Sequence, residues 1–138
     1  MMYKSILLAA DGSENSFRAA QEIRKFYNEG ATVTILNVIG YSDSKSDVLH
    51  GSNSKSLERE RLEKISDITN FFEENGINYE TAFEHGEPKE AVVKVANSGD
   101  YDVVLLGTRG LNSLQEMVLG SVSHKVAKRA NIPVMIVK

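Results

Sequence analysis

The sequence predicts a doubly wound α/β domain, an open five-stranded parallel sheet with helices on both faces. Two periodicities alternate along the chain: short apolar or β-branched runs of strand length, and longer stretches with apolar residues three and four apart. Several of the strand-like runs are apolar almost throughout, as strands covered on both faces are. Glycines gather just after the first and fourth runs, at the strand exits where such sheets bind ligands.

The strand-like runs are YKSILLAA (residues 3–10), ATVTILNVI (31–39), INYETAFE (77–84), YDVVLLGT (101–108) and PVMIVK (133–138). The first, fourth and fifth are nearly all apolar and are expected to be buried on both faces. Ser13 or Gly12 caps a first helix, in which Phe17, Ala20, Ile23 and Phe26 or Tyr27 recur at helical spacing until Gly30 ends it. A second helix opens at Ser54 or Ser56, carries Leu57, Leu62, Ile65, Ile68 and Phe72 as one stripe, and stops at Gly76. The charged run Glu58 to Arg61 reads as its solvated face. Pro88 suits the first turn of a third helix, bearing Ala91, Val92, Val95 and Ala96 and closed by Gly99. A fourth runs from Gly120 to about Ala130, with Val122, Val126 and Ala130 four apart. The long polar connection GYSDSKSDVLHGSNSKS, residues 40–56, reads as a flexible loop, either a lid or a disordered insertion.

Bulk properties exclude several classes. A chain of 138 residues fits one domain, 1–138, which buries roughly two thirds of its unfolded surface. Its net charge of -3 and the absence of any sustained basic block argue against nucleic acid; Lys125, Lys128 and Arg129 are spaced as a solvated helix face. With no cysteine there are no disulfides, thiolate metal sites or cysteine nucleophiles, and a reducing, cytoplasmic setting is expected. The apolar run Ile6 to Ala10 is far shorter than a membrane span and lacks a signal-peptide layout, so no membrane association is expected.

Right-handed crossovers place helices on both faces of a parallel sheet only if the winding reverses once, and the reversal leaves a crevice between two strand ends. If it separates the first and fourth strands, the loops AADGS (9–13) and GTRGLNS (107–113) face each other there. Gly107 and Gly110 free the backbone for positive φ and for close approach of another molecule. Gly120, Ser121, Val122 and Ser123 then begin a helix, where unpaired N–H groups, two hydroxyls and the positive end of the helix dipole meet. Together they suit an anion, most naturally phosphate; taken separately, a turn glycine and a helix N-cap at Ser121 explain each half. Between the halves, Leu114, Met117 and Val118 are placed to pack beneath.

No G-x-x-x-x-G-K-S/T and no G-x-G-x-x-G after the first strand is present, which removes the Walker and dinucleotide fingerprints. Asp11, at the end of the first strand, can accept from a ribose hydroxyl, help hold a metal on phosphates, or cap the turn with Gly12. Arg109 is placed to meet a phosphate or to stay solvated. His50, His85 and His124 have no metal-ligand spacing, and adjacent Ser123 and His124 lack the G-x-S-x-G elbow of a hydrolase.

In this order the residues resemble the universal stress protein family of the ATP-binding type. Gly107, Gly110, Gly120 and Ser121 meet its G-x2-G-x9-G-S/T pattern, and the likeness runs from YKSILLAADGS through Gly86-Glu87-Pro88 to IPVMIVK. The resemblance implies a Rossmann-like, adenine nucleotide alpha hydrolase-like sheet in the order 3-2-1-4-5, with ATP or another adenine nucleotide across the first and fourth strand ends. It further implies Asp11 at the ribose or the phosphate-metal group, and Ala10 and the backbone near Val38 beside adenine. Leu106, Gly107, Arg109 and Gly110 would line ribose and phosphates, and Gly120, Ser121, Val122 and Ser123 would hold the phosphate tail. Mg or Mn would bridge the phosphates, with no protein ligand assigned. A homodimer through the last strand, Pro133 to Lys138, is implied too, which would protect an apolar edge. Where many relatives carry a small polar residue and His between the paired glycines, this chain has Thr108 and Arg109. The function expected is a nucleotide-dependent regulatory or stress-response protein with slow or no hydrolysis. The alternative is a metal-dependent ATPase or nucleotidyl-transfer enzyme using Asp11. A signalling receiver domain would need an acidic cluster, whereas this chain offers a lone Asp11 and Glu84.

Overall fold

The computed structural model describes residues 3–40, 54–108 and 120–138. Their elements, in chain order, are β1 (Ser5–Ala9), α1 (Glu14–Ile23), β2 (Thr32–Ile39), α2 (Ser54–Lys64), α3 (Ser66–Glu74), β3 (Tyr79–His85), α4 (Pro88–Ala96), β4 (Val103–Gly107), α5 (Ser121–Arg129) and β5 (Val134–Val137). All strands are parallel, in the order β3-β2-β1-β4-β5. The fold is thus the predicted Rossmann-like, adenine nucleotide alpha hydrolase-like one.

Alternation along the strands assigns each side chain to a face. Ile6 and Leu8 lie beside Val33 and Ile35 on β2 and beside Val103 and Leu105 on β4, and this face is closed by Ala19, Ala20 and Ile23 of α1 and Ile68 and Phe72 of α3. Leu7, Leu36, Val104 and Leu106 point the other way, against Val92 and Ala96 of α4 and Val126 of α5. Each fully buried Leu or Ile contributes about 1.5–3 kcal/mol, so the sheet's two apolar faces hold both helix layers. The helices serving β1, β2 and β3 cover one face and those serving β4 and β5 the other, so the winding reverses between β1 and β4.

Several expectations change. β5 is half-buried because it is the sheet's edge, while β2, which carries Thr34 and Asn37, is buried along most of its length, as β1 and β4 are. Position in the sheet, rather than strand composition, decides this. Thr34 Oγ1 donates to Glu80 Oε1 at 3.1 Å and Asn37 Nδ2 to the Ala10 carbonyl at 2.9 Å, while Asn37 Oδ1 is buried with no partner among the described residues. Helix α1 stops at Ile23, well before Gly30, and Phe26 and Tyr27 pack from the turn that follows. The second helix is broken at Ile65 into α2 and α3, and Leu62 is 39% exposed instead of joining the stripe, since five residues from Leu57 is a poor match to the helical period. The loop expected over 40–56 ends in the first turn of α2, and 41–53 lie outside the described residues. Among the described residues, no helix is long and apolar enough to cross a membrane.

At the sheet's opposite end from the β1–α1 turn, the Asp102 carboxylate accepts from the backbone N–H groups of Lys4 and Ser5 at 2.9 and 3.0 Å. The Ser5 bond first, and then that of Lys4, hold its pKa below the usual carboxylate range. Folding therefore favours the ionised form. The stabilisation is complete above about pH 4 and disappears as pH falls through the lowered native value. In thermal melts from pH 7 to pH 2.5, Asp102→Asn should be less stable than wild type near neutrality, with the gap closing at the acid end.

Candidate functional site

β1 is hydrogen-bonded to β2 on one side and β4 on the other, and the chain leaves their carboxyl ends in opposite directions. A cleft of about 870 Å³ opens there. Ala10, Leu36 and Val38 at the ends of β1 and β2, with Val92 of α4 and Leu106 of β4, give it an apolar wall. Gly107 and Thr108 end β4, while Gly120, Val122 and Ser123 bring in the start of α5. Of the described residues expected to meet a nucleotide, all but Ser121 line this cleft, and Ser121 is exposed beside Gly120 and Val122. Arg109 and Gly110, with Leu114, Met117 and Val118, lie outside the described residues.

Local bonds shape the β1 exit. Ala10 is held from both sides, its N–H donating to the Leu36 carbonyl at 2.9 Å and its carbonyl accepting from Asn37. Asp11 Oδ1 accepts from the Ser13 N–H at 2.9 Å, and Ser13 Oγ caps α1 through the Ser16 N–H at 3.3 Å. Asp11 therefore performs the turn-capping role, and its Oδ2 makes no hydrogen bond among the described residues. Gly12 sits at φ +86°, and a Cβ there would come 3.2 Å from the Lys64 carbonyl oxygen, so the end of α2 closes over the turn.

The glycine ending β4 has a different cause from the one its sequence suggests. Gly107 is outside the positive-φ region; what it accommodates is α1. A Cβ at Gly107 would lie 2.4 Å from the Asn15 carbonyl oxygen and 2.8 Å from Asn15 Cβ. The missing side chain makes room for protein backbone, and the cleft inherits the resulting floor.

At α5 the N-cap is Gly120, with φ -63° and ψ 159°, instead of Ser121. Among the described residues no side chain caps the helix, and no acidic residue stands in its first turn, whereas α1 has both the Ser13 cap and Glu14. The α5 terminus therefore keeps its N–H donors and its positive dipole end available to an anion. Ser123, 2% exposed, donates its hydroxyl to the Gly120 carbonyl at 3.1 Å and so fixes the turn.

Sequence reasoning missed Asn37, Asn15, Arg18, Arg61, Glu87 and Pro88 at or beneath the cleft. Asn37 had a signal, being a polar residue inside a strand otherwise fit for burial, and it is 1% exposed. Glu87 and Pro88 lie in the Gly-Glu-Pro turn; Arg18 and Arg61 arrive from helix surfaces and carry no local mark. His124 is exposed on α5, and among the described residues no group of three or more His, Cys, Asp or Glu could hold a metal ion.

Fold and cleft together define a doubly wound, adenine nucleotide alpha hydrolase-like protein with an anion-competent helix end at its switch point. The chain belongs to the universal stress protein family, whose model matches residues 2–138. Universal stress protein MJ0577 of Methanocaldococcus jannaschii is 30% identical over 156 residues, covering 100% of this chain and 96% of that protein. The solved structure of MJ0577 has a TM-score of 0.82 at 31% identity, covering 100% of this chain and 97% of that one. A universal stress protein in complex with cAMP shares the fold with a TM-score of 0.70 and 22% identity, over 99% of this chain and 98% of its own. An Arabidopsis thaliana family member with AMP bound does so with a TM-score of 0.67 and 21% identity, over 98% and 91%.

The Gly107 contact predicts its own test. Gly107→Ala should destabilise the protein by about 1–3 kcal/mol in urea titration, because α1 must move off the β4 end.

Proposed function

We propose that this protein binds an adenine nucleotide, ATP in particular, across the ends of β1 and β4, and acts as a nucleotide-dependent regulatory protein with slow or no hydrolysis. One observation carries the reading: the same cleft pairs an apolar wall with an uncapped, acid-free helix N-terminus. A flat apolar base and an anionic tail are what such a pairing accommodates. The cAMP and AMP complexes of two proteins of the same fold support it.

In this reading Ala10 and Val38 flank the base, Asp11 Oδ2 accepts from a ribose hydroxyl, and Leu106 and Gly107 border the sugar. Gly120, Ser121, Val122 and Ser123 hold phosphate through the first N–H groups of α5, with Arg109 and Gly110 contributing from the preceding loop. Mg or Mn would enter on the phosphates, because the described residues supply no cluster of protein ligands for it. The nucleotide's role would be to favour one state of the protein over another and so change the affinity for a partner protein.

Denatured fresh protein should release adenine nucleotide, detectable by chromatography of the supernatant. Ser121→Asp makes a sharper test. An acid in the first turn of α5 is favourable to the helix by about 0.3–1 kcal/mol but repels phosphate. We expect an unchanged or raised melting temperature and at least about a tenfold loss of ATP affinity. ATP binding unaffected by Ser121→Asp would remove the phosphate site from α5, and single-turnover hydrolysis well above background would remove the non-enzymatic reading.

We also propose that β5 pairs with its copy in a homodimer. Thr108 N–H donates to the Val137 carbonyl and Val104 N–H to that of Pro133, so the alternate backbone groups, those of Val134 and Ile136, face away from β4. Among the described residues β5 pairs with β4 alone, leaving an apolar ladder edge for a partner strand. Light scattering after size-exclusion chromatography should give twice the 15.2 kDa chain mass. A monomer at micromolar concentration would refute the pairing.

A further inference from the structure

Arg18 departs from what its position on α1 leads one to expect. Glu14 stands four residues before it, the favourable helical spacing for an ion pair, yet no carboxylate among the described residues lies within ion-pair distance of Arg18. Its Nη2 donates instead to Asn15 Oδ1, and its Nε is buried without a hydrogen-bond partner among the described residues. The side chain borders the main cleft and also a smaller cavity of about 320 Å³ that includes Val137 and Lys138. Arg18 is half-buried, and its guanidinium is anchored on one side by the same Asn15 that abuts Gly107.

We propose that Arg18 is a specificity-determining residue of the cleft, contacting the distal phosphates of a nucleoside polyphosphate and favouring it over a monophosphate. This rests on the nucleotide reading of the cleft given above. The apolar wall includes Leu36 and Val38 of β2, whereas Arg18 reaches the end of β5. β2 and β5 are three strand spacings apart, roughly 14 Å, comparable with an extended nucleoside triphosphate. A monophosphate with its base at β2 would end short of Arg18.

The two layers then act from opposite faces of the sheet. The N–H groups of α5 approach the phosphates from one face and the Arg18 fork from the other, across the end of β4. Asn15 takes one of the fork's donors and fixes its plane, leaving the others for an anion. Of the charged groups bordering the cleft, Asp11, Glu14 and Glu87 are acidic and Arg18 and Arg61 basic, so a polyanion needs the cations on its own side of the site.

Calorimetric titration of ATP and AMP into wild type, Arg18→Gln and Arg18→Lys tests this. The Gln variant should lose about tenfold or more in ATP affinity and less than about twofold in AMP affinity, with Lys recovering part of the loss because it restores charge without the fork. A purely structural role for Arg18 would weaken both nucleotides together or neither, and either result overturns the proposal. If the Gln variant fails to fold, the Lys variant decides: an unchanged preference for ATP over AMP speaks against a fork at the distal phosphates. Wild-type protein that binds neither nucleotide overturns the underlying reading of the cleft, a result visible before any variant is made.

Discussion

The close approach of α1 to the end of β4 is the constraint on which the rest of the site depends. α1 follows β1 and leads to β2, yet its first turn lies over Gly107 so tightly that a single methyl group would collide with Asn15. That contact joins the two halves of the sheet across the reversal in winding. It sets the depth of the cleft, places Arg18 one turn further along the same helix, and leaves Thr108 free to turn toward β5. A larger residue at Gly107 would lift α1 and change all of these together, because packed interiors redistribute strain instead of absorbing it.

With α1 fixed, the electrostatics of the cleft follow from how the helix ends are finished. The N-termini of α1 and α5 both open toward it, but they are chemically different. α1 spends its end on Ser13 and Glu14, which satisfy a backbone donor and offset the dipole, while Gly120 leaves α5 with neither. The asymmetry gives the cleft one anion-attracting end, on the β4 side. At the other end Asn37 holds Ala10 in line with β2, which extends the apolar wall beyond the last paired residue of β1. Polarity therefore runs along the cleft from β2 to β4.

Much of this was legible in the sequence, and the failures share a cause. Strand and helix periods gave the element order, and the glycine-rich exits at 9–13 and 107–113 pointed to the switch, because period and turn chemistry are local properties. Gly107 signals close approach without saying whether ligand or backbone approaches, and here it is the backbone of Asn15. The apolar pattern puts Leu62 on a stripe that the helical period does not support and the end of α1 at Gly30, although Phe26 and Tyr27 can pack from a turn. Arg18 and Asn37 stayed hidden because their roles come from partners distant in sequence or from a surface identified only once the helix is docked. β5 looked like a doubly buried strand since composition cannot distinguish an edge strand that packs on both faces from a central one.

The same geometry brings the β4 end of the cleft close to β5, the sheet's edge strand among the described residues. Thr108 lines the cleft and donates to the Val137 carbonyl at 3.0 Å, and Arg18 borders both the cleft and the cavity beside Val137. A ligand shifts a protein's equilibrium only by binding one state better than another, so its influence has to pass through groups whose contacts differ between states. Thr108 and Arg18 each touch the cleft on one side and the β5 end on the other. On the proposed reading, an occupant of the cleft at the end of β4 acts one hydrogen bond from β5, the strand that would meet a second copy.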